Sequence, residues 1–264
     1  MSRLFVFGLG YTASRIAGRL RGAGWTVHAT GSAGDIDFGD EGGVRAILKG
    51  CVHVLSSVPP HEGSDPVLDR YADVLEGKRL AYLSSTGVYG DAGGAWVDEN
   101  SPVGTGRRSA RSEADGRWLA LEARVFRLPG IYGPGRSIFE RLEAGKAHRI
   151  DLPDTGTRQV FSRCHVDDIA RGVVAAIRQD APPGAYNLAD DLPTSQNAVV
   201  EEACRLTGAP LPPLQTLDEA GLSAMARGFY AENRRVANGK AKRVLGWTPA
   251  YPTYREGLAA LASA

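Results

Sequence analysis

The sequence predicts an α/β protein in which helices cover both faces of a parallel sheet. A short, fully apolar run at residues 4–7 is typical of a central strand that is buried on both faces. Helical and strand-like segments then alternate along the first half of the chain, which implies right-handed crossovers between parallel strands. With 264 residues, 43% of them hydrophobic, the chain is long enough to bury a sizeable core.

The elements of the first half follow from apolar patterns and from the glycines and prolines that interrupt them. After the first strand, Ala13, Ile16 and Leu20 lie on one stripe of a helix that ends at Gly22. The further strands predicted here are 25–30, 51–57, 80–85 and 125–128. The further helices are 44–48, 66–75 and 109–121.

The pattern changes after Gly130, where a smaller lobe is expected to pack against the sheet. A strong helix is predicted over 166–177, with Asp167 or Asp168 in its first turn, where an acid suits the helix dipole. Residues 149–163 are expected to be irregular and 185–189 to form a strand. Further helices are predicted at 138–142, 195–206, 218–226, 240–245 and 255–261. We expect a doubly wound sheet domain of residues 1–135 plus about 160–190, and a smaller mixed C-terminal lobe of about 136–159 and 191–264.

Charge and composition argue against several classes of function. A formal net charge of +1 does not suit a nucleic-acid or membrane surface, which needs a concentrated basic face. Three scattered cysteines predict neither a disulfide framework nor a metal site. No apolar run approaches the roughly 18 residues of a membrane span, and residues 1–8 do not resemble a signal peptide. We expect a cytoplasmic monomer or homodimer whose partner is a small molecule.

A glycine-rich turn follows the first strand. Gly8-Leu9-Gly10-Tyr11-Thr12-Ala13 matches the pattern G-x-G-x-x-[GA]. Gly8 permits the tight turn, Gly10 lets a pyrophosphate approach the backbone, and Ala13 lets helix and strand pack closely. Free N–H groups at the start of the helix, near Tyr11 and Thr12, favour negative charge. Because the motif lies between a strand and a helix of a βαβ unit, it predicts a Rossmann-type site for NAD or NADP.

The end of the second strand bears on the choice between NAD and NADP. An acid there binds the ribose hydroxyls of NAD, and an arginine accommodates the 2′-phosphate of NADP. Thr30, Gly31 and Ser32 provide neither, which slightly favours NADP, with Ser32 beside the cofactor. Asp40 is a candidate to accept a hydrogen bond from the adenine amino group, and is equally compatible with capping the next helix.

Five further segments resemble the extended short-chain dehydrogenase/reductase family, which includes nucleotide-sugar epimerases and dehydratases. They are Tyr82-Leu83-Ser84-Ser85-Thr86-Gly87-Val88-Tyr89-Gly90, Arg127-Leu128-Pro129-Gly130-Ile131-Tyr132-Gly133-Pro134-Gly135-Arg136, His165-Val166-Asp167-Asp168-Ile169-Ala170, Ala185-Tyr186-Asn187-Leu188-Ala189, and Leu245-Gly246-Trp247-Thr248-Pro249. Their order and spacing match the family almost from end to end. Phe7 stands where the family often has another glycine, which indicates an atypical branch.

The resemblance implies roles for individual residues. Ser85 takes the position of the catalytic serine or threonine, whose hydroxyl would hydrogen-bond the reacting oxygen of the substrate. A hydroxyl that only satisfies the end of its strand is the alternative. The resemblance further implies that residues after neighbouring strands flank the cofactor; these are Ser57, Pro59 and Ser84, with Leu128 and Ile131 near the nicotinamide.

The family's Tyr-x-x-x-Lys pair is missing at its expected position. Counting back from Glu113 places Thr105 at the tyrosine and Ser109 at the lysine, and there is no tyrosine in 91–128 and no lysine in 80–145. A threonine cannot replace a tyrosine whose pKa a lysine lowers, because an alcohol has a far higher pKa. Arg107 or Arg108 would still supply positive charge near the ribose. Tyr89 and Tyr132 are possible substitutes for the tyrosine, although both are also compatible with structural packing.

Two functions are therefore compatible with the sequence. The first is an NAD(P)-dependent oxidoreductase, epimerase or dehydratase that acts on a small polar or sugar-like substrate. The second is a cofactor-binding regulator or scaffold without turnover. The intact glycine turn and Ser85 favour the enzyme, and the missing pair favours the regulator.

Overall fold

A computed structural model describes residues 2–106, 109–152 and 158–263. Its centre is a six-stranded parallel sheet with the strand order β10-β6-β4-β3-β1-β2. The strands of this sheet are β1 (Arg3–Phe7), β2 (Thr26–Ala29), β3 (His53–Ser56), β4 (Arg79–Ser85), β6 (Arg124–Leu128) and β10 (Gly184–Asn187). Three short parallel pairs lie outside it: β5 (Trp96–Val97) with β12 (Arg235–Val236), β7 (Gly130–Tyr132) with β9 (Arg163–His165), and β8 (Arg149–Ile150) with β11 (Leu214–Gln215).

The described α-helices follow the strands in the order that the alternating pattern predicts. In the first half they are α1 (Tyr11–Gly22), α2 (Glu41–Lys49), α3 (Pro66–Tyr71) and α4 (Ser109–Ala120). In the second half they are α5 (Ile138–Glu143), α6 (Val166–Arg178), α7 (Gln196–Thr207), α8 (Ala224–Tyr230), α9 (Gly239–Leu245) and α10 (Tyr254–Ala262). The prediction of a Rossmann-type, doubly wound sheet is confirmed.

Both faces of the sheet are buried, as the apolar run of β1 predicts. Leu4 and Val6 belong to the apolar cluster on the face covered by α1 and α6. Phe5 and Phe7 point the other way, into the cluster that contains Trp118 of α4. This alternation is the two-residue period of a strand, so one short segment anchors two layers of helices.

The C-terminal residues are tied to the sheet domain through Asp168, in the first turn of α6. Its buried carboxylate accepts hydrogen bonds from the backbone N–H groups of Ala250 (2.7 Å) and Tyr251 (2.9 Å). The indole of Trp247 donates to the Asp168 carbonyl at 2.9 Å. A separate apolar cluster joins α5, α7 and α10 nearby. The division into two domains stays a prediction.

Some predicted elements differ from the structure. The helix predicted at 218–226 is wrong, because α8 begins only after Ser223, whose hydroxyl caps the N–H of Ala226. Glu219 instead accepts hydrogen bonds from the N–H and hydroxyl of Thr216, a local turn that competes with a helix. The helix predicted at 66–75 ends at Tyr71 and continues as a short 3₁₀ turn. Residues 149–150, predicted to be irregular, form β8.

Candidate functional site

The carboxyl ends of the central strands bring the predicted site residues to one edge of the sheet. Gly8 follows β1, Ser57 follows β3, and Ser85 and Leu128 end β4 and β6. These strands are neighbours in the sheet. Ligands of open parallel α/β sheets bind at this edge.

The glycine turn leaves space in front of helix α1. Gly8 has a φ of +81°, and a Cβ there would lie 3.1 Å from Val58 Cγ2, so a side chain would press on the neighbouring loop. Gly10 is the N-cap of α1, makes no side-chain cap, and has no atom within 4 Å of the place of a Cβ. The first turn of α1 therefore presents its backbone to open space, which fits a pyrophosphate.

Two hydroxyl groups hold the turn in place. Thr30 Oγ1 accepts a hydrogen bond from Gly8 N (3.0 Å), and Leu9 N donates to the Thr30 carbonyl (2.7 Å). The Ser57 hydroxyl donates to the Gly8 carbonyl. Ser57 thus lies beside the turn, with its hydroxyl proton directed to the protein backbone. Pro59 is exposed two residues further on.

The remaining motif residues have different surroundings. The Tyr11 hydroxyl donates to the carbonyl of Pro134 (3.1 Å), and the guanidinium of Arg136 lies 5.7 Å from the centre of its ring. Tyr11 therefore connects the start of α1 with the loop after β7. Thr12 and Ala13 are buried, so both side chains pack within the protein.

The loop after β2 uses its acids for local structure. Ser32 is exposed. Asp35 folds back and accepts from Ala29 N at 2.6 Å, with its second oxygen 2.8 Å from His28 Nδ1. Burial acts to raise the pKa of Asp35, but these hydrogen bonds hold it below its ordinary value. Asp40 caps α2 by accepting from Gly43 N at 3.0 Å, which agrees with the capping alternative.

Ser84 and Ser85 point to different sides of β4. The Ser84 hydroxyl donates to Asp115 Oδ2 (2.6 Å) in the protein interior. Ser85 Oγ accepts from Gly87 N (3.1 Å) and lines a cavity. Among the described residues no acceptor faces the hydroxyl proton of Ser85, so this proton is available to a bound molecule.

The two tyrosines considered as substitutes do not present their hydroxyl groups to this cavity. The Tyr89 hydroxyl donates to Asn187 Oδ1 (2.8 Å) and accepts from Arg127 Nη1 (3.0 Å), and the residue is buried. Burial raises its pKa, although Arg127 acts in the other direction. The structure therefore argues against a catalytic role for Tyr89.

Tyr132 contributes its ring to the cavity wall, while its hydroxyl is buried without a hydrogen-bond partner among the described residues. A Cβ at Gly257 of α10 would collide with this hydroxyl, which locates it against that helix. Burial raises the pKa of Tyr132 far above its ordinary value. A phenol in this position does not favour proton exchange with a ligand.

Helix α4 carries an ion pair that the sequence interpretation missed. Asp115 Oδ1 accepts from Arg127 Nη2 (2.8 Å) and Oδ2 from Nε (3.2 Å), and both side chains are almost fully buried. Glu113, the acid used to align the missing pair, is exposed instead. Counted from Asp115, the residue one turn earlier is Arg111, which lines the cavity and donates to Tyr82 Oη at 2.7 Å.

The two positions counted from Glu113, residues 105 and 109, therefore do not lie where the tyrosine and lysine pair is expected. Thr105 donates its hydroxyl to the Tyr89 carbonyl (3.0 Å), and Ser109 is the first residue of α4. Neither lines the cavity. Arg107 and Arg108 lie outside the described residues.

The cavity has a volume of about 870 Å³ and lies between the edge of the sheet and the C-terminal residues. Ser85, Leu128 and Ile131 line it on the side of the sheet. Residues of α5, α7, α8 and β9 line the other side. Its size is typical of sites for small ligands.

Within 2–106, 109–152 and 158–263, no three histidine, cysteine, aspartate or glutamate side chains are grouped closely enough to hold a metal ion. None of the helices in these ranges is both long and apolar enough to cross a membrane. All three cysteines are buried and reduced, and burial raises the pKa of each thiol.

Comparisons with known proteins bear on the family and the fold of this chain. Residues 61–189 match the model of the NAD-dependent epimerase/dehydratase family. A conserved protein of unknown function from Silicibacter pomeroyi DSS has a solved structure that is 39% identical, with a TM-score of 0.86 over 100% of this chain and 99% of that chain. The human epimerase family protein SDR39U1, solved with NADPH, is 14% identical with a TM-score of 0.78 over 99% of both chains, and shows the fold alone.

A curated relative has an assigned reaction. The 3-diazoavenalumate denitrifying reductase of a Streptomyces species is 34% identical over 149 residues, which are 52% of this chain. The match spans about half the length of that relative, 46%.

Proposed function

Since the chain belongs to the NAD-dependent epimerase/dehydratase family, we propose that it is an NAD(P)-dependent oxidoreductase acting on a small polar substrate in the cavity beside Ser85. The observation that carries this proposal is the shared edge of the sheet. There the open turn at Gly10 precedes α1, and the cavity lies next to Ser85 and Ile131. A cofactor on the turn would extend past the strand ends toward the cavity.

Each part of the chain has a distinct task in this proposal. Gly8, Gly10 and the first turn of α1 would hold the pyrophosphate, and Leu128 and Ile131 would flank the nicotinamide. When bound, the nicotinamide supplies or accepts a hydride. Ser85 would donate its free hydroxyl proton in a hydrogen bond to the reacting oxygen of the substrate, which orients that oxygen and stabilises charge on it.

The proton for the reaction has to come from a source other than Tyr89 or Tyr132. The remaining sources of the proton are Ser85 with water, a tyrosine from another loop, or the substrate itself. General acid–base catalysis is typically worth about 10² to 10⁴ in rate. We therefore expect slower turnover than in relatives that have the tyrosine and lysine pair, while proximity still supports hydride transfer.

Reduction is favoured over epimerisation by the Streptomyces relative, whose name is that of a reductase. Solved structures with the same fold hold NADPH or NAD, so the slight preference for NADP rests on the end of β2 alone.

The glycine turn is tested by Gly10→Val. The variant should fold, because no atom lies within 4 Å of a Cβ at this position, but its side chain would fill the space in front of α1. NADPH and NADH titrated by fluorescence or calorimetry should lose at least about tenfold in affinity. Gly18→Val is the matched control, because Gly18 also has open space around a Cβ and lies on the exposed side of α1. Equal affinity in both variants would contradict the assignment of the turn.

Catalysis is tested by following NADPH and NADH oxidation with a panel of aldehydes, ketones and sugars. We expect slow, substrate-dependent oxidation that decreases in Ser85→Ala while the Kd for the dinucleotide stays the same. Tight dinucleotide binding without oxidation by any substrate would favour the regulator or scaffold instead.

A further inference from the structure

The charged residues that line the cavity are mostly arginines. The described arginines in its wall are Arg111, Arg136, Arg141, Arg163 and Arg234, against two acids, Glu140 and Glu232. Glu140 accepts hydrogen bonds from the N–H and hydroxyl of Ser137, and Glu232 pairs with Arg234 at 2.9 Å. Neither acid lies within 4.0 Å of the other four arginines, so the described wall carries excess positive charge.

Arg163 is the most informative of these arginines because it is 8% exposed. Its Nη1 donates to the carbonyls of Phe161 and Thr194, both at 3.0 Å, and Nη2 donates to Gln196 Oε1 at 3.1 Å. All three acceptors are neutral. The N–H of Nε and the second N–H of Nη2 have no acceptor among the described residues, so two donors of the guanidinium remain for a ligand.

Asp190, the acid with the largest effect on the pKa of Arg163, does not neutralise the charge of this guanidinium. Its ionised form would raise that pKa, but no carboxylate of the described residues lies within 4.0 Å of the guanidinium. Burial raises the pKa of Asp190 to about 8, so its carboxyl is mostly protonated at neutral pH. Burial also lowers the pKa of Arg163 to about 10, which still leaves it charged. A buried cation without a counter-ion is costly, and a bound anion would offset that cost.

Aromatic rings stand beside this guanidinium. The Arg163 guanidinium lies 5.8 Å from the ring centre of Phe161, and the ring of Tyr230 from α8 meets Phe161 edge to face at 5.3 Å. Burial raises the pKa of Tyr230, while the charges of Arg141 and Arg163 lower it, so both cations act on its hydroxyl. An anion at this place would contact Arg141, Arg163 and the hydroxyl of Tyr230. The rings of Phe161 and Tyr230 would lie beside it.

We propose that the cavity binds a planar organic carboxylate, with the carboxylate between Arg163 and Arg141 and the flat frame against Phe161 and Tyr230. The two remaining donors of Arg163 suit charge-assisted hydrogen bonds to a carboxylate. Aromatic or conjugated frames gain from offset or edge-on contacts with the two rings. This inference rests on the proposed function, since it names the substrate class of the same cavity.

The test uses trans-cinnamate as the probe, with the protein saturated in NADP⁺ and binding followed by calorimetry. Cinnamyl alcohol has the same frame without the charge, cyclohexanecarboxylate has the charge without the planar frame, and inorganic phosphate has charge alone. We expect cinnamate to bind at least tenfold more tightly than each of the other three. Equal or tighter binding of any of them would overturn the proposed ligand class.

Variants locate the subsite. Arg163→Gln should weaken cinnamate binding at least tenfold, and Arg141→Gln several-fold. Because Arg163 is buried and its variant is at risk of unfolding, exposed Arg141 keeps the test decisive. Arg205→Gln is the matched control, since Arg205 is exposed on α7, pairs with Glu202 and does not line the cavity. Unchanged cinnamate affinity in the folded cavity variants would overturn the subsite.

The outcomes separate this inference from the proposed function. A protein that binds NADPH and reduces neutral carbonyl compounds but does not bind cinnamate would overturn the carboxylate subsite alone. A protein that binds cinnamate in an arginine-dependent way but binds no dinucleotide would overturn the proposed function alone.

Discussion

Asp115 and Arg127 form a deeply buried ion pair, with side chains that are 1% and 3% exposed. Asp115 receives two hydrogen bonds from the guanidinium and one from Ser84, so both of its oxygens are used. Such a pair is costly to bury, and removing one partner leaves the other charge without compensation. The pair fixes α4 against β4 and β6, directly behind Ser85.

Replacement of Asp115 is therefore expected to destabilise the fold strongly. Asp115→Ala leaves Arg127 buried and unpaired and should lower the free energy of unfolding by about 3–5 kcal/mol. Urea denaturation followed by circular dichroism measures this change. Glu113→Ala on the same helix is the control, and it should stay within about 0.5 kcal/mol because Glu113 is exposed. Similar effects of the two substitutions would contradict the structural role given to Asp115.

The choice between these two acids shows what sequence reasoning could reach at the residue scale. Two residues along a helix differ by about 200° around its axis, so Glu113 and Asp115 point in nearly opposite directions. Asp115 shares its buried face with Trp118, and this three-residue spacing was the available signal. The glycine turn was predictable, because its backbone conformation and its open space require glycine at particular positions of the sequence. The surroundings of Arg163 were not, since Phe161, Thr194 and Tyr230 meet there only in three dimensions.

At the scale of elements, the end of β2 bears on cofactor choice. Ser32 is exposed, and the Asp35 carboxylate is engaged by Ala29 N–H and His28. Because the described residues offer no free acid at the ribose position, NADPH should bind at least as tightly as NADH. Titration of both dinucleotides under the same conditions measures the ratio of their Kd values.

The contrary result has a defined interpretation. A preference for NADH of more than tenfold, about 1.4 kcal/mol, would mean that an acid reaches the ribose hydroxyls. Asp35→Asn would then identify it by removing that preference, whereas Asp37→Asn in the same loop should leave the ratio unchanged.

The strands and helices of the sheet were predictable because their apolar periodicity is strong and tertiary packing reinforces it. The predicted position of α8 was wrong because hydrogen bonds between residues close in sequence determine where the helix begins. Glu219 accepts a hydrogen bond from the N–H of Thr216, and Ser223 caps the helix. Its residues include no buried side chain, so no apolar stripe marked it. Elements that line ligand sites are often specified in this local way.

At the scale of the whole molecule, Asp190 makes stability depend on pH. Its pKa of about 8 in the native state lies above its ordinary value of 3.8. The native state therefore holds a proton that the unfolded chain has lost, and this contribution to stability is full below about pH 4 and disappears as the pH rises through 8. The expected loss approaches ~1.4 kcal/mol per pH unit within this window.

Asp190→Asn isolates that contribution, because asparagine imitates the protonated carboxyl. The difference in unfolding free energy between wild type and variant, measured in urea at pH 5, 6, 7 and 8, should change steadily with pH. His53 and His165, whose pKa values burial lowers, are present in both proteins and cancel. A difference that does not vary with pH would mean that Asp190 is ionised in the native protein.

The hydrogen bonds from Ala250 and Tyr251 to Asp168 also bear on how the chain is made. They join residues 82 and 83 positions apart, so these two contacts can form only after residues 250 and 251 have emerged from the ribosome. Early folding can assemble the sheet, but until residues 250 and 251 arrive the Asp168 carboxylate has Arg171 of the same helix as a partner and lacks these two backbone donors. A chain truncated before Trp247 would lack these two contacts and the one from the Trp247 indole to Asp168, so we expect α6 to open more readily and to be cleaved faster by proteases.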